Sequence, residues 1–285
     1  MKRQFANDEQ WLAFRQTPGL ITATDSAAIC GVNKYKSRYA IWAQKTGRFE
    51  PKVWESAGWG LILEEPIRKE YARVTGRKVT TFRRKTIYTH PDLPWMAATP
   101  DGRIAPGGTY EGKTCSLMLR GDWVHGIPLA YQFQGQHQMA CMGTTWNGFA
   151  CLVGGQELVW HDLPRDDIFI ENLQNELIQF RELLLSDTPP PIDGTDSTCA
   201  ALAAVYNKPK SEELWMMDDE IAMDVASRRQ LLLNTADVNT AAAQEIDNQI
   251  KALMGNFEVA YLPDGTKVTW RANKNGVRVF KVLGK

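Results

Sequence analysis

Between Lys78 and Ser116 the chain abandons helical periodicity, and this stretch limits the fold more than any other. KVTTFRRKTIYTH (78–90), WMAAT (95–99) and GTYEGKTCS (108–116) are rich in β-branched and aromatic residues, which suit a pleated, half-buried surface. The last follows a Pro-Gly-Gly turn, and the three read as strands of a meander. A sheet needs cover, and the neighbouring segments supply it. Residues 57–75 (AGWGLILEEPIRKEYARVT) place Trp59, Ile62, Leu63, Ile67, Tyr71 and Val74 along one helical stripe closed by Gly76, with Pro66 predicted to bend or divide the helix. Residues 127–142 read as a glutamine-rich helix opening near Pro128, and 165–186 as a long amphipathic helix. WNGFACLVGG and QELVWHDL between them alternate as strands. This order predicts an α/β domain with a mixed central β-sheet flanked by helices.

Outside that region the signals are local. Asn7 or Asp8 can cap a helix over 7–15, Thr24 or Asp25 a short helix ended by Gly31, and Ser37 a helix stopped by Gly47. DTPPPIDGTDST (187–198) is proline- and glycine-rich without periodicity, a linker. It separates a core over 1–186 from a C-terminal appendage over 199–285. That appendage is predicted as a helical hairpin (about 211–234 and 236–254) followed by two strands around an Asn-Gly turn.

Charge and cysteine usage exclude several classes. The 33 basic and 33 acidic residues cancel, against a protein that coats nucleic acid indiscriminately but compatible with a locally basic channel. No apolar run reaches the ~20 residues of a membrane span, and the start lacks a secretory apolar region. The expectation is a cytoplasmic protein. Cys30, Cys115, Cys141, Cys151 and Cys199 form no metal-like spacing and read as reduced thiols. No GxSxG, GxxxxGKS or HExxH occurs.

The chemistry concentrates in TPDGRIAPGGTYEGK (99–113). Asp101 leads a turn. Glu111 and Lys113, two apart on a strand, leave the same face. If the strands pair, the two acids can meet one magnesium ion, which takes hard oxygen ligands. The lysine beside them can orient or deprotonate a water or neutralise developing phosphate charge. The alternative is a hairpin with solvated charges, because Pro-Asp-Gly is favoured turn chemistry and recurs at Pro263-Asp264-Gly265 without an acid-x-Lys pair after it. Glu64 lies near the apolar stripe. It is either a further acid of the site or, like Glu65, a surface charge paired with Arg68 and Lys69. Gln134, Gln136 and Gln138 can donate to phosphate oxygens. His137 reads as packed against a neighbour rather than catalytic, and His90, His125 and His161 suggest no site.

Four blocks in order resemble the YqaJ-like viral recombinases, the phage lambda exonuclease family of the PD-(D/E)xK nuclease superfamily: ITATDSAAICGVNKYKSRYAIWAQKTG, GLILEEPIRKEYARVTG, TPDGRIAPGGTYEGK and YQFQGQHQMACMG. The resemblance spans roughly residues 10–186. It implies a restriction-endonuclease-like core and a magnesium-dependent 5′→3′ exonuclease on linear double-stranded DNA, in which manganese substitutes for magnesium. Such an enzyme leaves a 3′ overhang for a single-strand annealing protein. It further implies a homo-oligomeric, typically trimeric ring and a phage or prophage origin in a bacterial cytoplasm. By the same resemblance Asp101, Glu111, the Gly112 carbonyl and Glu64 hold the metal, Lys113 is the catalytic lysine, and Gln134 orients water or phosphate. Thr24, Thr99 and Arg15 grip a terminal 5′-phosphate, with Gln136 and Arg120 contacting DNA. Thr24 and Thr99 stand where the lambda relative has serine, and Arg120 is displaced by one residue from the family's arginine. The alternatives are a structure- or sequence-specific endonuclease on the same core, or an inactive DNA-binding accessory protein.

Overall fold

The strand-forming stretch folds into two sheets, not one meander. The computed structural model describes residues 1–52, 55–82, 86–208, 215–216, 219–234 and 240–283. Its first compact unit comprises residues 1–33 and 51–187. In chain order the strands of this unit are β1 (Lys2–Gln4), β2 (Ile21–Thr22), β3 (Val79–Thr81), β4 (Thr86–Thr89), β5 (Met96–Ala98), β6 (Gly102–Ile104), β7 (Gly108–Cys115), β8 (Trp146–Val153) and β9 (Glu157–Pro164). Among the described residues they form a sheet ordered β3-β6-β7-β8-β9 and a smaller one ordered β1-β4-β5-β2.

The correction to the meander has a local cause. Residues 78–90 split into β3 and β4, and 83–85 lie outside the described residues. WMAAT pairs with β4 in the smaller sheet. The strand that pairs with GTYEGKTCS is the short β6 of the Asp-Gly-Arg-Ile sequence, antiparallel, with Gly102 opposite Tyr110 and Ile104 opposite Gly108. Ala105–Gly107 turn the chain back, with Gly107 in the left-handed region (φ +70°) that a side chain disfavours. β7 runs parallel to β8, and β8 antiparallel to β9. The sheet is therefore mixed, as expected.

Period-two alternation sends successive residues of the sheet to opposite faces. Tyr110 and Ala150 meet Ile67 and Tyr71 of the helix Glu55–Thr75. Phe149, Cys151 and Val153 meet Met139 of the helix Leu129–Met142. The helix Glu55–Thr75 runs through Pro66 as one helix, and only the middle of its stripe is covered: Trp59 and Ile62 are 60% and 63% exposed. Gly135 permits the closest approach on the other face, since a Cβ there would lie 2.7 Å from Leu163 Cδ2 and 2.9 Å from Phe149 Cε2. In the smaller sheet, Leu20, Ile87 and Ala97 pack with Phe5, Trp11 and Phe14, anchoring the helix Asp8–Arg15 that Asn7 caps.

The second unit comprises residues 34–50 and 188–285. Sequence alone places 34–50 with the N-terminal core, but the helix Arg38–Lys45, capped by Ser37, buries Tyr39, Ile41 and Trp42 in this unit. Ser37 N donates to Ser197 Oγ at 3.1 Å. The 187–198 stretch is ordered at its end, where Thr195 caps a helix over Asp196–Val205. Helices Asp219–Asn234 and Thr240–Met254 follow. Of the two predicted appendage helices, residues 211–214, 217–218 and 236–239 lie outside the described residues, and Trp215–Met216, predicted as helix, form a strand instead. The strands β10 (Trp215–Met216), β11 (Val259–Tyr261), β12 (Lys267–Ala272) and β13 (Arg278–Leu283) form a sheet in that order. No described helix is long and apolar enough to cross a membrane, and all five cysteines are free.

Candidate active site

The hairpin register brings the two acids together. With Gly102 opposite Tyr110, Asp101 and Glu111 are the next residues outward on adjoining strands, and Asp101 Oδ2 accepts from Gly112 N at 2.8 Å. Gly112 leaves this approach clear: a Cβ there would stand 3.7 Å from Asp101 Oδ2 and 3.3 Å from the Tyr110 hydroxyl. Glu111 and Lys113 share the face covered by the helix Leu129–Met142. Glu111 Oε1 accepts from Lys113 Nζ at 2.6 Å and from Gln134 Nε2 at 2.5 Å. Lys113 Nζ also donates to Gln134 Oε1 at 3.1 Å and lies 5.1 Å from the Tyr131 ring centroid.

Glu111 Oε2 accepts from Gln138 Nε2 at 2.7 Å, and Gln138 Oε1 from Asn147 Nδ2 at 2.7 Å. Sequence offered Gln138 as a donor to phosphate oxygens, but its amide is taken up by Glu111 and Asn147. Its signal is the spacing of four from Gln134, which stacks both amides on one helical face. The supporting Asn147 and Tyr131 carry no such signal, because only the fold brings them near β7.

Charge is unbalanced here. The Asp101 carboxyl is pushed well above its ordinary range by burial and then by Glu111, with Glu64 adding to this. Lys113 and the Gly112 N–H act in the opposite sense. Burial disfavours the Lys113 ammonium, but Glu111 and Asp101 outweigh it and raise its pKa. Lys113 is thus held as an ammonium beside the buried Glu111 and the half-buried Asp101. Asp101, Glu64 and Thr99 line one open cavity of about 760 Å³, with Trp11, Leu61 and Arg68 among its other walls.

The donor set fits a magnesium-type ion. Among the described residues no three histidine, cysteine or acidic side chains gather into a metal cluster. A pair of hairpin carboxylates with excess negative charge is, however, the sparse oxygen set that leaves such an ion its waters. Glu111 accepts three hydrogen bonds where an ionised carboxylate offers about four sites, leaving capacity for one more.

The other expected site residues divide. Thr22 pairs with Ala97 where β2 runs parallel to β5, so Thr24 and Thr99 each leave the sheet two residues beyond that pair, at the same end. Thr24 is exposed, and its hydroxyl bonds Thr22 Oγ1 at 3.1 Å. Arg15 stacks 4.5 Å from Trp11, a wall of the cavity, and burial lowers its pKa against the pull of Asp25. Gln136 and Arg120 are placed elsewhere. Gln136, two residues from Gln134, turns away from Glu111 to donate to Pro164 O at 2.9 Å and accept from Asp166 N at 3.1 Å. Arg120 forms a two-pronged pair with Glu157 at 2.6 and 2.8 Å. His137 is buried, with Nδ1 2.7 Å from Ser26 Oγ. Gln136→Ala is therefore expected to destabilise the fold by about 1–3 kcal/mol through unmade buried hydrogen bonds, with DNA affinity at the wild-type value. Denaturant unfolding beside a binding titration checks both.

A mixed sheet whose central hairpin sets two carboxylates beside a lysine, under a glutamine-bearing helix, is the restriction-endonuclease-like fold of the alkaline exonucleases. The crystal structure of an alkaline exonuclease (LHK-Exo) from Laribacter hongkongensis superposes with a TM-score of 0.54 at 26% identity, covering 63% of this chain and 94% of that one. Its complex with dAMP matches with the same TM-score and coverage at 25% identity. Residues 10–145 match the YqaJ-like viral recombinase domain. The uncharacterized protein YqaJ of Bacillus subtilis (strain 168) is 29% identical over 266 residues, 89% of this chain and 80% of that protein.

Proposed function

We propose that the protein is a magnesium-dependent 5′→3′ exonuclease on linear double-stranded DNA, and that it leaves a 3′ single strand for a phage-type annealing partner. The observation that carries this reading is the convergence of Asp101, Glu111, Lys113 and Gln134 beside an open cavity. Its similarity to an alkaline exonuclease crystallised with dAMP supports a mononucleotide product. The match of residues 10–145 to the YqaJ-like viral recombinase domain supports a homo-oligomeric ring, typically a trimer, acting in a bacterial cytoplasm.

Asp101, Glu111, the Gly112 carbonyl and, through water, Glu64 would hold the ion; manganese substitutes. When bound, it polarises phosphate and lowers the pKa of a water. The residues of the chain do the remainder. Gln134 is fixed by Glu111 and Lys113, and presents its amide to water or a phosphate oxygen. Water attacks the phosphorus and gives up a proton to solvent, the bond to the 3′ oxygen breaks and that oxygen takes up a proton, and the Lys113 ammonium stands where negative charge builds. Thr24, Thr99 and Arg15 would grip the terminal 5′-phosphate.

The test compares linear duplex carrying 5′-phosphate with a covalently closed circle, in magnesium and in EDTA. Linear DNA alone should be degraded, only with magnesium, and from the 5′ end. Cleavage of the circle would reassign the protein as an endonuclease. Inertness on every substrate would leave a DNA-binding accessory role.

A further inference from the structure

The second unit carries its own concentration of positive charge. Over residues 259–283, Lys267, Arg271, Lys274, Arg278 and Lys281 stand against one acid, Asp264, in a chain whose net charge is zero. Asp264 is engaged in its own turn, accepting from Thr266 N and Oγ1 at 2.9 and 2.8 Å. Arg278 points inward. It lies 3.8 Å from the Trp270 ring and donates to the carbonyls of Trp270, Tyr206, Gly255 and Phe257.

The remaining cations gather outside. Lys267, Thr269 and Arg271 alternate onto one face of β12, and Lys281 of β13 lies directly opposite Thr269. Lys274 sits in the connecting turn. Arg271 approaches Glu258 at 3.7 Å. Lys267, Lys274 and Lys281 form no ion pair among the described residues. Four residues of strand span about 13 Å, so Lys267 and Arg271 frame Lys281 over a stretch that several phosphates of a duplex strand occupy.

We propose that this outer face of the β11–β13 sheet is a second DNA contact, binding the phosphate backbone of duplex DNA without reading sequence. Charge complementarity selects a polyanion. The choice of duplex over single strand follows from the aromatic residues. A single-strand site needs rings for base stacking, but Trp270 is buried, Phe280 lies 5.3 Å from the buried Lys251, and Tyr261 is overlaid by Lys267 at 5.9 Å. The exposed partners of the cations are Val279 and Leu283.

The contact does not depend on cleavage or on the nuclease reading, so it is tested in EDTA with the full chain. The probe is a duplex capped by hairpins at both ends, which offers no terminus to the first unit. Wild type is compared with K267Q/K274Q/K281Q and with the corresponding triple arginine variant. Each phosphate contact contributes about 0.9 to the slope of log affinity against log salt. The glutamine variant should lose about 2–3 of that slope and at least about tenfold in affinity at low salt, while the arginine variant retains both. Unchanged slope and affinity in the glutamine variant would overturn the proposal. So would a larger loss on an oligo-dT strand than on the capped duplex. A matched thermal melt of the three proteins separates these outcomes from misfolding.

Discussion

Lys113→Ala is expected to slow degradation of 5′-phosphorylated linear duplex by about 10²- to 10⁴-fold in saturating magnesium, the range for removing one positioned proton-transfer or charge-stabilising group. The side chain donates to both Glu111 Oε1 and Gln134 Oε1, so its loss removes the ammonium and loosens the Gln134 amide that we propose orients water or phosphate. The loss should fall on kcat more than KM, because charge neutralisation is needed most in the transition state. Glu111 keeps Gln134 and Gln138 as donors, so the variant should still fold. Breaking a buried ion pair can nevertheless cost about 3–5 kcal/mol. Lys113→Gln, which retains a donor without the charge, therefore serves as the companion. Single-turnover cleavage is the measurement, and a wild-type rate in either variant, or full wild-type activity in EDTA, would falsify the assigned chemistry.

Asp101→Asn is expected to move activity and stability in opposite directions. Asparagine retains an oxygen to accept from Gly112 N, as Asp101 does at 2.8 Å, but removes a half-buried acid crowded by Glu111 and Glu64. Without metal, the variant should melt a few degrees above wild type, because an isosteric neutral group ends the repulsion. Added magnesium should raise the melting temperature of the wild type by mass action and leave the variant nearly unmoved. Cleavage should fall at least about 100-fold through loss of a ligand. A variant that melts below wild type without metal, or that magnesium stabilises equally, would show that Asp101 is not a crowded cation ligand.

Much of this was legible before folding because it depends on local rules. Asn7 and Ser37 cap their helices where side-chain chemistry places them, and strands β7, β8 and β9 fall on the alternating segments. The ten-residue spacing of Asp101 and Glu111 was readable because a turn and two short strands bring them level. The meander was misread because β-propensity says which residues suit a sheet and nothing about which sheet they join. β4 and β5 went to one and β3 and β6 to the other. The stripe on Glu55–Thr75 was overread for a related reason: periodicity marks the face available for burial, not how much of it the sheet reaches.

The glutamines show where sequence stops. Gln134, Gln136 and Gln138 look alike in a row, yet two face Glu111 and one clamps Pro164 and Asp166. Helical angle separates them, but only the docking of the helix against β8 and β9, through the bare Cα of Gly135, decides which pair meets the carboxylate. Arg120 was similarly open until Glu157 lay beside it. Sequence alone determined the chemical inventory and the order of its elements, because composition, caps and spacing act within a few residues. The tertiary structure decided which sheet each strand joined, that residues 34–50 belong with the C-terminal unit, and that two acids and one ammonium share a site, because long-range packing and charge burial exist only in the folded chain.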